Sequence, residues 1–400
     1  MRFFTRYFAV VAVLLLGFGY GAQAAADGEW SGFVSGEAWY FSNTPPSQPD
    51  LYQTDLSVGV QPEYFREWDE GRQLFKFTGF ARIDERDSER THADIRELTW
   101  VKAAEDHEWR LGVRKVFWGV TEFVHLVDII NQTDFVENPN SEEKLGQPML
   151  NYALIKNWGT LDFFALVGFR ERTFPCLDCR FQTDPPIDPD QSIIEDENRI
   201  DWTVRYSQVF GDWDVGLYYF NGIARDPRFV VGRSNTLPVL VPVYEKIEQV
   251  AFDVQSTKGN WLWKLEGFWR SGQGPTFSSA TGGFEYTFVG AFKTPMDVGV
   301  VGEYIWDERG DDALTPFEDD VALGVRLTFN DAQSTDLLFG VIADVDKSSR
   351  VYQLEGSRRL GERWKISIEG RLFADIDPTD FFLFGVRDDD FIRVELARFF

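Results

Sequence analysis

Cys176-Leu177-Asp178-Cys179 contains both cysteines of the 400-residue chain. Two residues between thiols suit a redox motif, half of a metal site or a local disulfide. There is no second pair to complete a zinc site and no strand-helix-strand context for a redox motif. In an exported chain Cys176 and Cys179 are therefore expected to form a small loop disulfide. The three histidines, His92, His107 and His125, leave little room for a histidine-based centre. His92 stands near Asp94 and Arg90, but no nucleophile pairs with it, so no catalytic residue and no enzymatic activity are expected. Asp128, Asp134, Glu137 and Glu142-Glu143 carry oxygens suited to calcium, yet their spacing is not that of an EF-hand loop. A solvated or salt-bridged segment is the expectation, with no metal and no cofactor.

Composition narrows the partners. Asp and Glu number 65 against 40 Lys and Arg, a formal charge of -25. A nucleic-acid partner is excluded, because its phosphates require a basic face. Phe (37) and Trp (14) far outnumber Met (3), which fits aromatic-rich strands better than a helical core.

Residues 1–26 read as a signal peptide: Arg2 and Arg6, an apolar run from Phe8 to Phe18, then Ala22-Gln23-Ala24 as a small-x-small cleavage site. The mature chain, 27–400, has no apolar window of about 18 residues and so no transmembrane helix. An exported chain of this kind is a soluble protein, a surface-attached one or a transmembrane β-barrel.

The elements decide between them. The dominant period is two, as in Arg199-Ile200-Asp201-Trp202-Thr203-Val204-Arg205-Tyr206-Ser207, where apolar and polar residues alternate. Eighteen segments follow this rule: 30–42, 50–64, 72–84, 92–103, 107–116, 148–157, 159–170, 197–208, 212–222, 244–256, 260–271, 281–291, 296–306, 317–329, 334–345, 349–359, 363–373 and 389–400. Short polar turns such as Asp69-Glu70-Gly71 and Gly211-Asp212 alternate with long connections at 117–147, 171–196, 223–243, 307–316 and 374–388. Short turns on one side and long loops on the other belong to an outer-membrane barrel. No repeat of some 40–50 residues supports a propeller, and no linker divides the chain into sandwich domains. The expected fold is all-β: a transmembrane antiparallel up-and-down β-barrel of about 18 strands, 16 being possible, with a long third external loop. Outward aromatics near strand ends, such as Trp202, Tyr206, Trp261 and Trp269, fit interfacial girdles.

The chain ends with Ile392, Val394 and Leu396 in alternation and Phe400 at the terminus. This resembles the last strand of Gram-negative outer-membrane porin-like barrels, with Arg398 as a departure in the outward register. The resemblance implies recognition of Phe400 by the outer-membrane assembly machinery and residence in the bacterial outer membrane, against lipid bilayer and lipopolysaccharide. It also implies that the third loop folds inward as a constriction, which places Trp118, His125, Asp128, Asn131, Asp134 and Glu137 there. Val127, Ile129 and Ile130 would be costly on a loop free in water. An interface between protomers would bury them equally well.

If the apolar set faces lipid, the pleat forces the polar set into the lumen. The expected wall includes Arg82, Arg110, Arg114, Arg199, Arg205, Glu266 and Arg326. Its plain reading is a charge-balanced, solvated surface. Its sharper reading is a transverse field, with Arg82, Arg110, Arg114, Arg199 and Arg205 opposing acids on the third loop or the far wall. The expected function is passive diffusion of small hydrophilic solutes or ions. A substrate-specific uptake or export channel, for example for an anionic polymer, and a non-conducting structural barrel are the alternatives.

Overall fold

The computed structural model describes residues 28–45 and 48–400. The expected signal peptide lies outside them. Eighteen strands build the main sheet: β1 (Glu29–Phe41), β2 (Thr54–Trp68), β3 (Gln73–Asp84), β4 (Ala93–Ala103), β5 (His107–Arg114), β6 (Gln147–Lys156), β7 (Gly159–Val167), β9 (Ile200–Phe210), β10 (Trp213–Ile223), β13 (Lys246–Lys258), β14 (Trp261–Gly272), β15 (Gly274–Phe288), β16 (Asp297–Asp307), β17 (Asp319–Thr328), β18 (Asp336–Asp344), β19 (Arg350–Leu360), β20 (Trp364–Ala374) and β21 (Phe391–Phe399). Three more, β8 (Ile193–Ile194), β11 (Arg228–Ser234) and β12 (Leu237–Tyr244), form a small separate sheet. In the main sheet neighbours pair antiparallel, and β1 pairs with both β2 and β21, which closes the ring. Closure leaves no unpaired edge, the condition under which strands can cross a bilayer. No helix among the described residues is long and apolar enough to cross.

Alternation becomes two faces. In β17 Val321, Leu323 and Val325 are exposed, while Asp320 and Ala322 are buried. In β9 Trp202 is exposed between buried Asp201 and Thr203. Such a continuous exposed apolar surface is costly in water, at about 25 cal/mol per Å². It suits hydrocarbon. Outward aromatics collect at the short-turn rim: Trp261 stacks on Trp263 at 5.4 Å and meets Tyr286 at 4.7 Å, and Trp109 meets Tyr152 at 4.6 Å. Arg398, the sequence departure, reaches this belt with its guanidinium 6.0 Å from the Trp364 ring. A long side chain with a charged tip tolerates an outward position where it can reach the interface.

Three local departures have physical causes. Between β14 and β15 no loop exists: Gln273 alone separates them, with Gly272 and Gly274 at φ 109° and 83°, backbone that glycine adopts without strain. The expected loop at 272–280 is thus strand. In β4 a register shift opposite Thr78 and Gly79 leaves Arg96 as the extra residue. This bulge lets both Arg96 and Glu97 find lumen partners, whereas a strict pleat allows one. The connection 224–245 contains the β11–β12 hairpin, whose alternation is short and bounded by loop residues on both sides.

Candidate functional site

The third loop, residues 115–146 between β5 and β6, enters the barrel. Val127 and Ile130 are fully buried, and with Trp118 and Ile129 they pack against Met149, Phe164, Tyr218, Phe220, Ala251 and Phe268 on the inner wall. The chain's own wall therefore covers these apolar side chains, the question that the sequence left open. Trp118 stacks on Tyr218 at 4.7 Å and 19°.

Two wall carboxylates hold the crossing segment. Glu266 in β14, fully buried, accepts from Val120 N (2.5 Å), Thr121 N (2.8 Å) and Thr121 Oγ1 (2.7 Å). Glu303 in β16 accepts from Glu122 N (2.7 Å) and Phe123 N (3.0 Å). Backbone N–H groups of an irregular loop need partners once removed from water, and a carboxylate accepts several at once. Glu122 then turns to Arg326 (2.5 Å) and Lys264 (3.5 Å).

The returning segment is tied to the opposite wall. Asn131 accepts from Val116 N (2.8 Å) and donates to the carbonyls of Arg114 (2.7 Å) and Leu145 (2.8 Å), joining the two ends of the loop. Asp134, fully buried, meets Arg96 (2.5 Å) and accepts from Thr173 Oγ1 (2.7 Å). Glu137 binds Arg82 (2.9 Å) and His92 (2.8 Å), and Asn138 donates to Glu369 (2.9 Å). Burial acts to raise the Glu137 carboxyl, but the His92 hydrogen bond and the charges of Arg82 and Arg90 prevail and bring it down to about 2. Asp128 pairs with Lys144 at 3.2 Å and accepts from Trp118 N at 3.3 Å. The loop acids thus disperse onto separate cations and do not converge on one point. His125 packs edge-on against Phe117 at 4.8 Å, and burial, then the charge of Lys144, pushes its imidazole down to about 4.

The wall arginines largely pair along the wall. Arg110 meets Glu108, Asn151 (2.8 Å) and Asp162 (3.4 Å), and Arg114 shares Asn151 (3.0 Å). Arg205 meets Asp253 (3.0 Å) and lies 5.5 Å from the Trp118 ring. Arg199, just before β9, meets Asp201 (3.0 Å). Of the five arginines read as one side of a transverse field, Arg82 alone has a loop carboxylate, Glu137, among its ion-pair partners in the described residues. Cys176 and Cys179 are bonded, with Cα atoms 5.1 Å apart, in the fourth external connection.

Between the loop and the β18–β20 wall lies a cavity of about 340 Å³. On that wall Val351 faces Phe373, Gln353 faces Arg371, and Glu355 faces Glu369 across the strands. An apolar step therefore stands outside a carboxylate pair. Glu142 of the loop is open to the lumen but surrounded by protein, and burial followed by the charges of Glu355 and Glu369 pushes its carboxyl up to about 7.

Sequence reasoning placed Glu122, Phe123 and Glu142 within the long third loop but did not single out Glu122 or Phe123, and it did not find Glu303 as an anchor. Glu266 and Glu303 share the lumen face, and that shared placement was the available signal. Their partners are backbone N–H groups, which no side-chain pattern records.

A closed antiparallel sheet with lipid-type outer side chains and an inward loop defines a transmembrane channel-type barrel. The solved structures that resemble it agree. Crystal structures of Pseudomonas aeruginosa OccK8 (OprE) and Acinetobacter baumannii OccAB3 each superpose with a TM-score of 0.52, at 12% and 10% identity. They cover 94% and 93% of this chain and 98% and 99% of their own. Pseudomonas aeruginosa OccK11 (OpdR) superposes with a TM-score of 0.50 at 9% identity, covering 93% of this chain and 95% of its own. No family model matches the sequence, and no curated protein does. The likeness is one of fold: the chain has the closed antiparallel β-barrel fold of porin-like outer-membrane proteins.

Proposed function

We propose that the protein is a passive diffusion channel of the outer membrane for small hydrophilic solutes or ions, with the third loop as its constriction. The observation that carries this reading is the loop's double attachment, to Glu266 and Glu303 on one wall and to Arg82 and Arg96 on the other. A loop held at both sides partitions the lumen permanently and leaves the gap beside Glu142, Glu355 and Arg371 as the path. Residues 1–26 are removed on export in this reading. The β21 strand with Phe400 after it serves assembly in this reading, and lipopolysaccharide surrounds the outer rim.

A second reading, a channel for one solute class, is favoured by the apolar step at Val351 and Phe373 beside charged groups, since a purely size-selective pore gains nothing from apolar walls. Planar-bilayer recording of the purified barrel in potassium chloride tests the first reading: discrete openings support it, and a barrel that inserts without conducting sinks it. Block of that current by one solute class at low concentration moves the conclusion to the second.

A further inference from the structure

On the outer rim three connections converge on Lys347: those from β16 to β17, from β18 to β19 and from β20 to β21. Its ammonium lies 2.7 Å from Asp311, 2.5 Å from Glu318, 3.2 Å from Asp380 and 3.8 Å from Asp344. An ammonium brings one charge and three N–H donors, so four carboxylates leave it outnumbered. A fifth acid worsens the balance. Asp320 is 3% exposed, and its Oδ2 has no hydrogen-bond partner among the described residues. The β17–β18 register sets it directly opposite Asp344, which turns it toward the cluster. Like charges directly opposed across strands are destabilising, and a buried carboxylate oxygen without a donor adds its desolvation cost.

The geometry fits one ion. A ligand oxygen from each of Glu318, Asp344 and Asp380 lies within 4.8 Å of the others. Two oxygens bound to a common ion at about 2.4 Å, the calcium distance, are at most about 4.8 Å apart, and calcium's flexible coordination by carboxylates suits ligands drawn from three separate connections better than magnesium's strict octahedron. The carboxylate of Asp380 is held for this purpose. It begins the short helix Phe381–Val386 without capping it, and it binds Ser349 Oγ instead.

We propose that Glu318, Asp344 and Asp380 bind one calcium ion, with Asp320 adding negative charge from the strand behind, and that Lys347 is the counter-ion the metal displaces. The exchange replaces one positive charge by two among five carboxylates, and the lysine stem is long enough to swing its ammonium into water. Binding ties the three connections together above the cavity, where Phe382 and Leu383 of the short helix form part of the lining.

The test uses the whole barrel refolded without lipopolysaccharide, which itself holds divalent cations, and freed of metal with a chelator. Calcium chloride and magnesium chloride are titrated calorimetrically into the native protein and into Asp344→Asn, Lys347→Met and the exposed rim control Asp375→Asn. The expected result is one saturable calcium site, with magnesium weaker by about tenfold or more. Asp344→Asn should weaken calcium by about tenfold or more, Lys347→Met should tighten it, and Asp375→Asn should leave it unchanged. Calcium that does not saturate, or that Asp344→Asn and Asp375→Asn weaken alike, overturns the site. If Asp344→Asn does not fold, Lys347→Met decides alone: tighter calcium binding supports the proposal, and unchanged or absent binding overturns it.

Discussion

Phe123, near the tip of the third loop, rests on Gly340 of the far wall: a Cβ added at Gly340 would lie 2.6 Å from Phe123 Cε1. Gly324, across the strands from Gly340, receives the same ring, with a Cβ there 2.9 Å from Cζ. Two facing glycines make a flat seat in the wall, and any side chain would fill it.

Replacing Gly340 with valine is expected to lift the Phe123 ring off the wall into the remaining gap and lower single-channel conductance. Phe123→Ala is expected to raise it. In the Phe123→Ala background the valine should have little further effect, because residues in contact are non-additive. Bilayer recordings of the two single variants and the double variant check this, and additive changes would refute the contact.

Glu266→Gln replaces an acceptor of three hydrogen bonds by a group with one acceptor oxygen and two donors. Each charge-assisted bond lost costs about 1.5–3 kcal/mol. The variant should unfold at lower temperature and show noisier open-channel current, measured by heat modifiability on gels and by recording. Native behaviour in both would show that Glu266 does not hold the loop.

Acid should release the returning segment. The Glu137 carboxyl, at 4.5 when unperturbed, stands at about 2 in the folded barrel through His92, Arg82 and Arg90, even against its burial. A depressed carboxyl contributes stability that is fully present above the unperturbed value and is lost as pH falls toward the folded one. Protection of the loop backbone from hydrogen exchange should therefore fall between pH 4.5 and about 2. Glu137→Gln should remove that pH dependence, and its persistence would assign the effect elsewhere.

Cation preference should depend on Glu142. Its carboxyl stands at about 7, so it is charged above that pH and neutral below it. Cation-over-anion permeability, read from reversal potentials in a salt gradient, should decline as pH falls from 8 to 6 through about 7. Glu142→Gln should flatten the titration. A slope unchanged in that variant would place the titrating charge on another group.

Much of this architecture was legible in the chain. The alternation in segments such as 199–207 marks strands because a pleat has period two, and the pattern of short turns and long connections orients them. Val127, Ile129 and Ile130 announced that the third loop is covered. Boundaries were less legible: the strand expected from 50 begins at Thr54 and continues to Trp68, since its ends are set by pairing with β1 and β3 and not by its own pattern.

What the sequence by itself determined is local: which residues alternate, which face is apolar, and therefore a closed sheet with lipid outside and charge within. Only the tertiary structure decided which charges meet. Glu266 lies 145 residues from the Thr121 N–H it accepts, and Arg82 lies 55 from Glu137. Partners that far apart are brought together by ring closure and by the path of one irregular loop, neither of which leaves a period in the chain. The bulge at Arg96 belongs with them, because one extra residue in a strand moves every later side chain to the other face without altering the apparent alternation on either side.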